Sequence, residues 1–334
     1  MQTILFVGGG SVGHIAPSVA VWDACKTLQP DLSAHFICSP RQDDAAFLKK
    51  NTLPFTVLNA PRASLLFPVQ FVKAVRSAKQ ILDAVKPDII FSKGGYVSLP
   101  ICFEAHRRKI PIILHESDAV SGYANTIVSR WATHVCTGFP TGNPIRKEIT
   151  EGSKKEARRI TGFDGSKPVL LVMGGSQGAT SINEAIIAQL DDLLLRCDII
   201  HITGRNKGSY VPLARNYYAT EFANEELKHF YALADIALSR AGAGSIAELV
   251  ANDIPSILVP LRGVGHDHQY KNALAAVESS ACIHLEQKEL RTKLLPTVHT
   301  LSTQTHHKKP AASDAALQIA KIIVQTLDYS QRHQ

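Results

Sequence analysis

TILFVGGGSVGH at residues 3–14 carries an apolar, strand-forming run straight into a glycine-rich turn, and VLLVMGGSQGAT at residues 169–180 does the same. An apolar run without alternation reads as a strand covered on both faces, and a glycine turn leading into helical periodicity is the opening of a βαβ unit. The echo extends outward from these turns. PDIIFSKGG at 87–95 resembles ADIALSRAG at 234–242, and IPIILHE at 110–116 resembles IPSILVP at 254–260, in the same order along the chain. The repeat implies one topology used twice: an α/β protein of two Rossmann-like, doubly wound parallel-sheet domains. Strands are expected at 3–7, 34–38, 88–91, 110–114, 169–173, 198–202, 235–238 and 257–260, with helices such as 182–195 and 269–278 between them.

Glycine and proline concentrate at residues 137–146, TGFPTGNPIR, where periodicity stops. That stretch divides a first domain, 1–141, from a second, 142–310. A polar segment at 301–313 then sets off a last apolar helix, 314–330, separate enough to pack back on the first domain. A length of 334 residues suits two domains, and 45% hydrophobic with 19% charged residues is globular composition. No apolar run reaches the roughly 18 residues of a membrane span. The start of the chain lacks the basic segment of a signal peptide, and the six cysteines include no CxxC pair. These features lead us to expect a cytoplasmic enzyme or binding protein. Thirty-six Lys and Arg against 29 Asp and Glu give a net charge of +7, which suits an anionic partner. With two tryptophans and no aromatic stripe, that partner is not expected to be nucleic acid.

A glycine turn between strand and helix frees backbone N–H groups at a helix N-terminus, where the macrodipole adds positive potential. Residues 9–14 and 174–178 both have that context, as anion cradles or as turns required only by packing. Neither is a GxGxxG followed by an acid after the second strand, which removes the usual support for a nicotinamide-dependent oxidoreductase. A third turn, residues 239–245, leads into a helix carrying Glu248. That carboxylate either complements the dipole or accepts two hydrogen bonds from a ribose diol. No DxD occurs, and the adjacent residues His266, Asp267 and His268 are poorly spaced to converge on one ion. No metal and no cofactor is expected.

GGxxGHxxP at 9–17, GGYVSLP at 94–100, HES-D at 115–118, GNPIR at 142–146, GGSQGA at 174–179, TEF at 220–222, the turn from Arg240 to Glu248 and HQYKNA at 268–273 occur in that order. With them the chain resembles the MurG family of peptidoglycan N-acetylglucosaminyltransferases. The resemblance implies a GT-B fold with a cleft between the domains. It further implies inverting transfer of GlcNAc from UDP-GlcNAc to the MurNAc C4 hydroxyl of lipid I, giving lipid II for cell-wall synthesis. In that reading Glu248 holds the ribose, while Ala243, Gly244, Ser245 and Ile246 line the diphosphate and sugar with Ser176 and Gln177. Backbone at Ala223 reads the uracil edge, His268 and Gln269 the GlcNAc hydroxyls, and Arg146 faces the nucleotide. Ser11, Val12, Gly13, His14, Asp118 and Asn125 approach from the acceptor domain. His14 is the first candidate for the base that deprotonates the acceptor, since imidazole titrates near working pH; Asp118 and Glu116 are the alternatives. Ser11 and Val12 stand where the family usually has Thr-Gly, and Asp118 where asparagine is common.

Residues 62–82 combine Leu65, Phe67 and Phe71 with Lys73, Arg76 and Lys79 in a helical pattern starting near Pro68. By itself this is a core helix with a basic solvated face or a helix lying on an anionic bilayer. A lipid-linked acceptor favours the latter, with the protein peripheral on the anionic cytoplasmic face of the cell membrane. Three other readings stay open: the same fold with another lipid-linked acceptor, the oxidoreductase, and a non-catalytic nucleotide-binding protein.

Overall fold

The computed structural model describes residues 1–9, 12–61, 67–138, 142–175, 178–207, 214–263, 267–303 and 314–332. Strands β1 Thr3–Val7, β2 Ser33–Cys38, β3 Phe55–Val57, β4 Ile89–Ser92, β5 Ile112–Glu116 and β6 His134–Thr137 form one parallel sheet in the order β3-β2-β1-β4-β5-β6. Strands β7 Val169–Met173, β8 Asp198–Ile202, β9 Tyr217–Thr220, β10 Ile236–Ser239, β11 Ser256–Leu258 and β12 Cys282–His284 form a second, in the order β12-β11-β10-β7-β8-β9. Counted from its own first strand, each sheet runs 3-2-1-4-5-6, the Rossmann order.

Helices α1 Val12–Leu28, α2 Gln42–Lys50, α3 Phe67–Val85, α4 Ser98–Arg107 and α5 Tyr123–Val128 cover the first sheet. The second has α6 Lys154–Thr161, α7 Thr180–Ala188, α8 Leu190–Leu194, α9 Leu227–Leu233, α10 Ala243–Ala251, α11 His268–Ser279 and α12 Leu290–Thr303; α13, Ala315–Arg332, ends the described chain. Strand alternation feeds two cores per sheet. Ile4 and Phe6 of β1 join Ile15, Val19 and Trp22 of α1, while Leu5 and Val7 point to the other face with Ala78, Leu82 and Ile101. In the second sheet Leu170 and Val172 join Ile182 and Ile186 of α7, and Leu171 and Met173 join Phe230 and Tyr231 of α9.

The chain divides into one unit of residues 1–117, 121–146 and 314–334 and another of 118–120 and 147–313. Helix α13 lies in the first: Ile319, Ala320, Ile323 and Leu327 enter the core beside α1. The first unit runs to Arg146 rather than to 141, because side chains hold the connecting segment. Asn143 Nδ2 donates to Ser117 O at 3.0 Å, and His115 Nε2 lies 3.4 Å from Gly142 O. The single helix expected over 182–195 is two, α7 and α8, broken at Gln189 (φ −122°, ψ 17°), whose Nε2 donates to Ala185 O and Leu290 O.

The repeated sequence blocks make the same closures in both sheets. Asp88 Oδ2 accepts the Thr3 N–H at 2.7 Å, and Asp235 Oδ2 accepts the Val169 N–H at 2.9 Å. At the other end, Lys93 N–H donates to Val7 O and Arg240 N–H to Met173 O.

Candidate active site

In the second unit the C-terminal ends of β7 and β10 deliver the glycine turns. At Gly174 a Cβ would collide with the Ala179 backbone nitrogen, and Gly175 has φ +78°, so the turn after β7 needs both glycines. Ser176 and Gln177 lie outside the described residues. Helix α10 follows β10 directly. Its N-cap is Gly242, with no side-chain cap, so first-turn N–H groups such as those of Ala243, Gly244 and Ser245 have no side-chain acceptor. Uncapped N–H groups at the positive end of a dipole can bind an anion. Ile246 is different: its side chain is fully buried and its N–H already donates to Gly242 O, so the helix itself uses it.

Glu248 lies on α10, and Tyr231, itself buried, donates its hydroxyl to Glu248 Oε2 at 2.8 Å. A carboxylate fixed this way presents an acceptor in a defined direction, as a diol requires. Ala223 is buried in the core around Phe230 and Tyr231, next to exposed Phe222, which has the Arg205 guanidinium 5.1 Å from its ring centroid. His268 opens α11, and Gln269 accepts the Leu261 N–H on Oε1 at 2.9 Å. Asn272 on α11 is buried; it donates to Asp118 Oδ1 at 2.8 Å and to Ala241 O at 3.2 Å, and accepts the Ala119 N–H at 2.8 Å. These bonds explain why residues 118–120 group with the second unit.

In the first unit the ends of β4 and β5 form a buried polar cluster. Glu116 accepts from Asn125 Nδ2 at 2.6 Å. Gly94 has φ +83°, and a Cβ there would strike the Asn125 amide, so the glycine is required twice over. Lys93 is 2% exposed and its Nζ lies 3.0 Å from His115 Nδ1. Burial and the Lys93 charge push the His115 imidazole well below its usual range. A lysine donating to Nδ1 leaves the imidazole proton on Nε2, toward Gly142 O.

Gly13 and His14 lie in the first turn of α1; Ser11 and the side chains of Val12 and His14 are outside the described residues. The Arg146 guanidinium lies 6.0 Å from the Phe47 ring centroid. Glu116 and Asn125 are thus brought together, and Ala243, Gly244, Ser245 and Glu248 share α10. Asp118 pairs with Asn272 rather than with Glu116.

Along α3 the core stripe is Ala74, Ala78 and Leu82, while Lys73, Arg76 and Lys79 are exposed. Phe67 and Phe71 are half-buried and stacked at 5.4 Å, with Phe71 edge-on to Phe103, so the solvent-facing apolar groups of this helix are Val69 and Val72 instead. Leu65 lies outside the described residues. Among the described residues no helix is long and apolar enough to cross a membrane.

Sequence reasoning missed four residues that organise these sites: Lys93, Tyr231, Arg240 and Asn272. Two of them were detectable, since Lys93 and Arg240 occupy the same place in PDIIFSKGG and ADIALSRAG.

Comparison with known proteins adds to this geometry. The glycosyltransferase family 28 N-terminal domain matches residues 4–137, and the family's C-terminal domain matches residues 169–327. A Clostridium botulinum (strain Hall) protein named UDP-N-acetylglucosamine–N-acetylmuramyl-(pentapeptide) pyrophosphoryl-undecaprenol N-acetylglucosamine transferase is 35% identical over 317 residues, 88% of this chain and 89% of its own. A protein of the same name from Lachnoclostridium phytofermentans is 36% identical over 282 residues, 78% of this chain and 79% of its own. Among solved structures, Acinetobacter baumannii MurG has a TM-score of 0.69 at 23% identity, covering 99% of this chain and 100% of that one. The UDP-GlcNAc 2-epimerase of Methanocaldococcus jannaschii has a TM-score of 0.64 at 14% identity, covering 97% and 100%.

Proposed function

The chain belongs to glycosyltransferase family 28 and is a GT-B glycosyltransferase, and on that premise we propose that it moves N-acetylglucosamine from UDP-GlcNAc to the MurNAc C4 hydroxyl of lipid I. The observation that carries the reading is the 35% identity, over 88% of the chain, to proteins named for this transfer. The α10 geometry supports it: uncapped N–H groups and a carboxylate oriented by Tyr231 lie on one helix.

In this reading Glu248 binds the ribose hydroxyls, and the amides of Ala243, Gly244 and Ser245 face the diphosphate with Ser176 and Gln177. Backbone at Ala223 meets the uracil, and His268, Gln269 and Arg146 complete the donor contacts. The acceptor oxygen attacks the anomeric carbon, the bond from that carbon to the diphosphate oxygen breaks, and UDP departs with the bonding pair. Attack opposite the leaving group inverts the centre. The departing charge falls on helix N-terminal dipoles, which need no reorganisation as it develops. The acceptor proton passes to His14, the first candidate base. Glu116 and Asp118 each already accept a hydrogen bond from an asparagine, which favours positioning roles for them.

The exposed charges Lys73, Arg76 and Lys79 beside Val69 and Val72 support docking on an anionic cytoplasmic membrane face. One assay tests both parts: radiolabelled UDP-GlcNAc with a short-chain lipid I analogue, in detergent and on anionic vesicles, with the analogue omitted as control. Label should appear in the lipid product in both formats, faster on vesicles. UDP release without labelled lipid would sink the transferase reading, and equal rates in the two formats would remove the membrane role.

A further inference from the structure

Arg240 is 9% exposed, and each of its described guanidinium partners is neutral. Nη1 donates to Val259 O at 3.1 Å and Pro260 O at 3.5 Å; Nη2 donates to Ser181 Oγ at 2.9 Å and Gln287 Oε1 at 2.9 Å. Among the described residues no carboxylate pairs with it. A buried cation ordinarily has a counter-charge, because desolvation costs more than neutral acceptors return. Burial accordingly pulls its pKa below the usual arginine value.

Its location gives that charge a use. Ser181 lies in the first turn of α7, just beyond the glycine turn at 174–178, and Arg240 itself stands two residues before Gly242, the N-cap of α10. Two helix N-termini and one guanidinium therefore gather where β7 and β10 end, with nothing negative among the described residues bonded to the guanidinium.

We propose that Arg240 is a positioning residue of the donor site, a buried cation left without a counter-ion so that its field is completed by the diphosphate of the bound nucleotide. The guanidinium does not touch the ligand. It acts through the field and by fixing the start of α7. This rests on the donor reading above, and the test separates the two.

The full-length protein is titrated with uridine, UMP and UDP, in wild type, Arg240→Gln, Arg240→Lys and Gln287→Glu. The Gln287→Glu change keeps the arginine and supplies the missing carboxylate. Loss of one partly screened unit charge should weaken UDP about tenfold in Arg240→Gln, weaken UMP less and leave uridine within about twofold. Arg240→Lys, which keeps the charge and loses the fork, should recover most UDP affinity. Gln287→Glu should weaken UDP while leaving thermal stability equal or higher. A loss of the same factor for all three ligands, Arg240→Lys as weak as Arg240→Gln, or unchanged UDP affinity in Gln287→Glu would each overturn the proposal. A wild type that binds none of the three removes the donor reading and the proposal with it.

Discussion

Lys93 and Arg240 follow the fourth strand of their respective sheets, both are buried, and both close the same backbone bond to the first strand. Their partners stand at matching positions of the repeated blocks IPIILHE and IPSILVP, yet differ in chemistry. Lys93 meets the imidazole of His115, whereas Arg240 meets the carbonyls of Val259 and Pro260. The chain then diverges. After Lys93 two glycines turn left-handed, at φ +83° and +80°, before α4 begins at Ser98. After Arg240, Ala241 and Gly242 lead at once into α10, with Gly242 at φ −70°. One frame thus presents two mouths: a sharp polar turn in the first unit and a bare helix N-terminus in the second. Specialisation lies in the loops after the strands, where α/β sheets generally bind ligands.

The sharpest way to break this comparison is to exchange the residues after the two cations. Gly94→Ala places a Cβ at positive φ and against the Asn125 amide, displacing it from buried Glu116. The expected loss is about 3–5 kcal/mol, from backbone strain plus a lost hydrogen bond to a buried carboxylate. Ala241→Gly, its counterpart, should cost only about 1 kcal/mol through chain entropy and lost methyl packing. Urea denaturation of both variants checks the ratio, and equal losses would mean that the two turns are equivalent after all.

The buried histidines give the next largest effect. His201 bonds Tyr217 OH at 2.7 Å and Asn183 Oδ1 at 3.0 Å, and burial lowers its pKa from 6.5 to about 4. Above pH 6.5 it is neutral in both folded and unfolded chains. As pH falls toward 4 only the unfolded chain takes up the proton, so stability declines, by about 3 kcal/mol at the lower limit. His115 is displaced in the same direction with a second cause, the Lys93 charge. His201→Gln should flatten the acid slope of the second unit, and Lys93→Met should soften that of the first, both read from denaturation midpoints across this range. An unchanged slope in His201→Gln would mean that another group carries the acid sensitivity.

The eight strands legible in the sequence are the inner four of each sheet, where neighbours and helices on both faces demand an apolar run. The four that went unread, β3, β6, β9 and β12, are the sheet edges. Each has one neighbour and a partly exposed face, so His134–Thr137 and Tyr217–Thr220 carry polar groups and show no run. The same physics divides the site. Glycine turns are legible because left-handed backbone and close approach need glycine wherever they occur. Lys93 and Arg240 are legible as matching positions of the repeat, but their burial is not, because a charge after a strand is ordinarily solvated and only the assembled loops show that these two are covered. Tyr231 reads as core until its hydroxyl is seen to reach Glu248.

The smallest effect probes the frame the two units share. Asp88 and Asp235 each accept the N–H that opens the first strand, at 2.7 and 2.9 Å. A carboxylate accepting a backbone N–H is worth about 1–2 kcal/mol where it is shielded and less where water competes. The Asp88 bond is exposed and the Asp235 bond partly buried. Asp88→Asn should therefore cost a few tenths of a kcal/mol and Asp235→Asn about 1 kcal/mol, since the amide oxygen keeps the bond but not its charge. Amide exchange at Thr3 and Val169 reads each site without perturbing the other. Faster exchange at Val169 in Asp235→Asn, with Thr3 unmoved, would establish the two closures as independent copies. If Asp88→Asn instead proves the costlier change, burial is not what ranks them, and the first unit leans on this bond for a reason outside the shared frame.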